Sequence, residues 1–453
     1  MAIGDEVLAG DVLPAVVTTE DRRRARDRQR VWARRQGSGW KVGLFWLLVG
    51  PGILVMLGEN DAPSMLSYAA TGASYGISLF LPFVVLTFGM SFVVQEMTVR
   101  LGAATHRGHA ELIFDRFGPF WGWFAMSDLL VGNLLTLVTE FIGIRVGLGF
   151  FGVPPALAVL GGFAIVVSVV LTRRYWTWER ITLGLAAFNL LFVPVAILAH
   201  PVGSQVVSAF LTWGPLPGGF SQQTILVMVA AIGATVTPWM LFFQQSAVVD
   251  KGLTTDDIRQ GRIDTALGAL LAAVAAIATI LATAPLFVHH IHASNFAGAQ
   301  FAQALEPYVG KVGATLFALG IFEAGLVAAI TISSSSAYAF GEVTGRSHSL
   351  NSSWRDGWPF YTILILAAGI AATLVLIPNA PLVFIVLIVN VIAVLAMPPA
   401  LVFLILLVND RGIMGEQVSR RLGNSVAIAI VVFLCLAGLL FGVSIIFPHL
   451  IPV

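Results

Sequence analysis

Two apolar stretches of this chain are interrupted where residues could meet a cation. The first interruption reads Gly58-Glu59-Asn60-Asp61-Ala62-Pro63-Ser64, and the second reads Gly233-Ala234-Thr235-Val236-Thr237-Pro238-Trp239. A proline inside a helix removes one backbone hydrogen bond and clashes with the preceding turn. In lipid the freed carbonyls need another partner, so such breaks persist only where they face protein, water or an ion. Asp61 puts a carboxylate at one break, which makes a cation the natural partner. A plainer role is available, because an aspartate before a helix also caps its first turn. An uncompensated carboxylate at membrane depth is functional by default, which favours the cation.

The elements that must hold these breaks follow from composition. The chain is 57% hydrophobic and 11% charged, against about 25% charged in soluble domains. Residues 181–249, 265–305, 360–409 and 422–453 contain no Asp, Glu, Lys or Arg. Apolar runs of this length belong in a bilayer. The pattern predicts an all-α membrane protein with spans near 42–72 (broken), 78–99, 119–149, 154–172, 181–200, 221–249 (broken), 264–290, 310–340, 358–377, 380–408 and 423–447. Residues 1–41 form a basic tail that is expected to be disordered and cytoplasmic. Residues 42–408 form the ten-helix core, and 409–453 hold a loop and an eleventh span. One cysteine, Cys435, excludes internal disulfides and cysteine metal centres. No cleavable signal peptide is visible, since no apolar run precedes residue 42.

Basic residues orient the spans. With the N-terminus in the cytoplasm, the tail and the inside loops hold 23 of the 25 basic residues. Lys311 falls outside and Arg145 within a span. This asymmetry is what positive-inside sorting produces, and it predicts an external C-terminus in the cell membrane. The prolines at the breaks, Pro63 and Pro238, lie in spans 1 and 6. Span 1 enters from inside and span 6 from outside, so the halves have opposite topology. Five plus five inverted helices with helices 1 and 6 unwound is the LeuT-type transporter architecture.

Several motifs carry a more specific resemblance. Gly50-Pro51-Gly52 followed by Asp61, then Gly72-Ala-Ser-Tyr-Gly76, resembles helix 1 of the natural resistance-associated macrophage protein (Nramp) transporters. Arg100-Leu-Gly102 resembles their next loop, Glu140-Phe-Ile-Gly143 their helix 3, and Met397-Pro398 with Met414-Gly415 their helix 10 and its exit. The resemblance spans most of residues 42–445. It implies the LeuT fold and transport of divalent transition metals, usually driven by protons.

The departures from that pattern are chemical. The family's Asp-Pro-Gly-Asn stands here as Asp61-Ala62-Pro63-Ser64, and its Met-Pro-His as Thr237-Pro238-Trp239. An amide and a thioether have thus become hydroxyls, which resembles the Nramp-related magnesium transporter branch. Soft sulfur favours transition metals, whereas Mg²⁺ takes hard oxygen. Mg²⁺ also keeps much of its water and is held by one or two carboxylates. The resemblance implies Asp61, Ser64, Thr237 and the carbonyls of Gly58 and Ala234 as metal ligands. Asn390 stands near the family's helix 10 glutamine and is a further candidate. For Ser64, Thr237 and Asn390, an ordinary interhelical hydrogen bond is the competing role.

Trp239 replaces the family's histidine, the side chain that most readily titrates near neutral pH. Leu137 stands where a second helix 3 carboxylate would be, so Glu140 is left without a relay. The expectation is import of Mg²⁺, and also of Mn²⁺, by alternating access without obligatory protons. A proton-coupled Mn²⁺/Fe²⁺ importer is the alternative. Glu59 either enriches the cation site or pairs with Arg145. Glu96, Asp128 and Glu323 are candidates for interior ion pairs. His289, His290 and His292 fall in an outside loop, and Ser333 to Ser336 suggest either a sodium site or helix packing. A sodium-driven organic-solute carrier is disfavoured by Asp61. No enzyme signature is present, and no cofactor, nucleic acid or obligate protein partner is expected beside the metal-ion substrate and the bilayer.

Overall fold

The computed structural model describes residues 50–291, 299–377 and 382–446. The basic tail, the start of span 1 and His292 lie outside the described residues. Every described element is helical. In chain order they are α1 (Pro51–Glu59), α2 (Ala62–Tyr75), α3 (Phe80–Thr105), α4 (His109–Phe117), α5 (Pro119–Gly149), α6 (Pro155–Val170), α7 (Tyr175–Ala186), α8 (Phe192–Leu198), α9 (Gly203–Thr212) and α10 (Gln222–Gly233). They continue with α11 (Pro238–Lys251), α12 (Ile258–Val288), α13 (Gln300–Thr344), α14 (Trp358–Val375), α15 (Leu382–Asn409), α16 (Arg411–Met414) and α17 (Arg421–Ile446).

Among the described residues, nine helical stretches are long and apolar enough to cross a bilayer. The shorter apolar helix α6 and the interrupted pair α1–α2 bring the count to the eleven expected crossings. Span 1 breaks between Glu59 and Ala62, and span 6 between Gly233 and Pro238. In each case the proline takes one of the first two positions of the second half-helix, where its missing N–H costs nothing.

Three boundaries differ from the hydropathy pattern. Span 5 starts earlier, at Tyr175, and passes through a 3₁₀ segment at Ala187–Leu191 before α8. Span 2 continues past its apolar run to Thr105, because Glu96 and Arg100 pair on the helix surface at 3.4 Å. Span 8 belongs to the longer α13, kinked at Gly310, whose φ of 69° lies in the left-handed region open to glycine.

Small residues set the packing, as expected where lipid supplies no hydrophobic drive between helices. Along α5 and α13, a Cβ on Gly325 would crowd the Glu140 carbonyl, and one on Gly147 would crowd Ala318 and Phe322. Both halves of span 1 lie backbone-to-backbone on α12. A Cβ on Gly52 would meet the Thr265 backbone, and one on Gly72 would meet the Ile280 carbonyl and Thr283.

Polar links fasten one end of the core. The Asp264 carboxylate of α12 accepts from the backbone N–H groups of Gly50, Gly52 and Ile53, at 3.1, 2.7 and 3.2 Å. These are among the orphan donors at the start of α1. Beside them, buried Lys251 of α11 bonds both Glu179 oxygens of α7 at 3.0 Å. The Tyr175 hydroxyl also donates to Glu179.

Candidate metal-ion site

The two breaks come together in the core. Asp61 and Ser64 are each 1% exposed, Thr237 3%, and Glu59 and Glu140 0%. The first half-helix α1 ends at Glu59, so the carbonyl of Gly58 is one of the last four without an intrahelical partner. Asp61 then turns extended, and its Oδ1 accepts from the Ser64 N–H at 2.9 Å. The cap reading and the site reading of Asp61 thus coexist, because the cap uses one oxygen and leaves the other. The Ser64 hydroxyl lies beside the Asp61 carboxylate without closing a hydrogen bond.

Across the breaks, the Thr237 hydroxyl donates to Glu59 Oε2 at 2.7 Å. The Trp239 indole N–H also lies near Glu59, yet neither Nε1 nor Glu59 Oε1 has a hydrogen-bond partner. The edge of the Trp239 ring packs over Gly58, where an added Cβ would stand 3.3 Å from it. From α5, Glu140 Oε2 accepts the Ala62 N–H at 3.1 Å, and the carboxyl sits beside Asp61. Glu140 Oε1 is unpartnered. Three carboxyl groups therefore converge, and among the described residues none of them pairs with a basic side chain. Burying charge without a partner is costly, so such a group calls for cations or protons.

The other expected residues take the following places. Asn390 is buried, and its amide N–H donates to the Ser67 hydroxyl at 2.9 Å. The Ala234 carbonyl accepts from the Tyr68 hydroxyl at 3.0 Å, which uses one of its two lone pairs. Arg145 does not meet Glu59; its guanidinium donates to the Val375 carbonyl at 3.0 Å. Among the described residues Glu323 joins no ion pair, and both its oxygens are buried without a partner. Glu96 does pair, with Arg262 at 2.6 Å. Ser333, Ser334 and Ser336 donate to carbonyls of their own helix, and Ser335 to that of Trp239. Helix packing thus accounts for the serine run. His289 stacks on Tyr308 with ring centres 4.6 Å apart.

Three residues outside the expected set complete the breaks. The Asn60 amide donates to Asn189 at 3.0 Å and to the Ala272 carbonyl at 2.8 Å, and Asn189 returns a bond to the Asn60 carbonyl. Tyr68 reaches from α2 to the second break. Asn60 stood inside the interruption, which was its one sequence signal. Nothing local marked Asn189 or Tyr68.

Sequence comparison decides the family. The model described as "Natural resistance-associated macrophage protein-like" matches residues 52–444. The chain belongs to the Nramp family. A divalent metal cation transporter, MntH, of Erwinia tasmaniensis is 30% identical over 289 residues, covering 62% of this chain and 68% of that protein. Its counterpart in Yersinia enterocolitica is 27% identical over 286 residues, with the same coverage. Among solved structures, the manganese transporter of Eremococcus coleocola aligns with a TM-score of 0.70 at 20% identity, over 89% of this chain and 88% of that one. MhsT in complex with L-phenylalanine aligns at 0.56 with 14% identity, over 87% and 98%. These likenesses bear out the LeuT-type fold of this Nramp protein. The named relatives are transporters, which are not enzymes.

Proposed function

We propose that this Nramp protein imports divalent metal ions, Mg²⁺ and also Mn²⁺, by alternating access and without obligatory proton coupling. The observation that carries the reading is the donor set at the breaks. Asp61, Ser64, Thr237 and the Gly58 carbonyl offer oxygen, while Trp239 offers no ligand atom. That suits an ion that keeps part of its water shell, as Mg²⁺ does. Mn²⁺ accepts the same hard oxygens.

The driving force need not be a proton. An inside-negative potential favours entry of a dication by about 4.6 kcal/mol per 100 mV, twice the single-charge value. No histidine stands at the second break to take up a proton near neutral pH. A second reading, proton-coupled Mn²⁺ import, is favoured by one observation: Glu140 is buried beside Asp61 with one oxygen free.

The test is uptake into proteoliposomes with a Mg²⁺-sensitive dye and a pH dye in parallel, for wild type and Asp61→Ala. Mg²⁺ entry without acidification, lost in the variant, is the expected result. Exclusion of Mg²⁺ with proton-linked Mn²⁺ entry would establish the second reading instead.

A further inference from the structure

We propose that Glu59 is a second anionic ligand of the transported dication, aimed by Thr237. The inference rests on the metal-transport reading of this site. Glu59 is the last residue of α1 and stands two residues from Asp61, with the break between them. It is fully buried. One oxygen, Oε2, accepts a hydrogen bond from the Thr237 hydroxyl at the opposite break, 178 residues away in sequence. That bond fixes the carboxyl's orientation and leaves the Thr237 lone pairs for other use. Among the described residues the second oxygen, Oε1, has no hydrogen-bond partner, and neither has the Ser64 hydroxyl. Both unpartnered groups belong to the same short stretch as Asp61.

Charge balance argues the same way. Buried carboxylates without a countercharge are strongly disfavoured. Glu140 is committed through Oε2 to the Ala62 N–H and serves as a cap of α2. Asp61 and Glu59 flank the break on one segment, so a dication bound there offsets the charge of both. Hard cations of this class are commonly held by one or two carboxylates together with retained water. The Thr237–Glu59 bond also links the two breaks, so any parting of them would have to break it.

The experiment compares wild type, Glu59→Gln and Glu59→Asp in two assays. Mn²⁺ and Mg²⁺ binding to the purified protein is measured by calorimetry, and uptake is measured in proteoliposomes for KM and maximal rate. Removing one member of a buried, hydrogen-bonded charge pair commonly costs 2–5 kcal/mol, so affinity in E59Q is expected to fall about thirtyfold or more. KM should rise in parallel, with the maximal rate changed less. E59D, which keeps the charge but withdraws it by one methylene, should fall between. An E59Q protein with unaltered metal affinity, or with lower yield and rate at unaltered KM, overturns the proposal. If E59Q does not fold, E59D decides alone: several-fold weaker binding supports the assignment, and unchanged binding overturns it. The two ideas fail separately. Wild-type protein that binds Mn²⁺ but moves neither ion defeats the transport reading and leaves the calorimetry to judge Glu59.

Discussion

The buried Lys251–Glu179 pair offers the sharpest test of the energetics. Lys251 is 0% and Glu179 3% exposed at the side chain, with the ammonium 3.0 Å from both carboxylate oxygens. Lys251 also lies over the Trp176 ring, 5.1 Å from its centre. Replacing Lys251 by Met keeps the stem's volume and removes the charge, leaving Glu179 buried with only Tyr175 as donor among the bonds described above. Breaking one side of a buried pair costs about 3–5 kcal/mol, whereas replacing both by apolar groups is often neutral. The prediction is that Lys251→Met is destabilised by about that amount and that Lys251→Met/Glu179→Met recovers most of it. The assay is a double-mutant cycle on the purified protein, read by SDS-titration unfolding in mixed micelles. A coupling energy of several kcal/mol is expected, well above the roughly 0.5 kcal/mol within which independent sites add. If the double variant is no more stable than the single, the loss is one of packing, and the electrostatic reasoning is refuted.

Other predictions concern the helix ends and close contacts. Asp264→Asn should weaken three bonds to the start of α1, each worth about 1.5–3 kcal/mol when its acceptor is charged; a cysteine at residue 53 in a background lacking Cys435 should then react faster with a polar thiol reagent. Gly72→Ala should cost about 1–3 kcal/mol through overpacking against the Ile280 carbonyl, seen as a lower unfolding midpoint in the same titration. His109, on the short helix α4, has its pKa pushed down to about 4, first by burial, against a hydrogen bond with Gln245 that raises it. Because the unfolded chain binds the proton more readily, stability should fall as pH drops from about 6.5 towards 4. His109→Gln should flatten that dependence.

The interruptions were legible in the sequence because proline and charge act locally. Pro63 and Pro238 mark the two half-helix starts wherever the helices pack, and Asp61 sits at a break for the same reason. The eleven crossings were legible from charge-free runs and basic loops. The partners across the site were not. Glu59 meets Thr237 and not Arg145 because rotation about each helix axis selects the pairing. Helices apolar on every face carry no periodicity to reveal that rotation. The Asn390 bond to Ser67 was hidden for the same reason. The 3₁₀ segment before α8 left no mark beyond Asn189, whose bond to Asn60 requires the third dimension.

The contacts of span 1 with α12 carry a mechanical consequence. Below the break, Gly52 presses on Thr265; above it, Gly72 presses on Ile280 and Thr283. Between those points α12 runs unbroken, so it acts as a splint across a fracture. The two fragments of span 1 are held at a set separation even though no continuous helix joins them. Any displacement of one fragment relative to α12 would have to break these glycine contacts first.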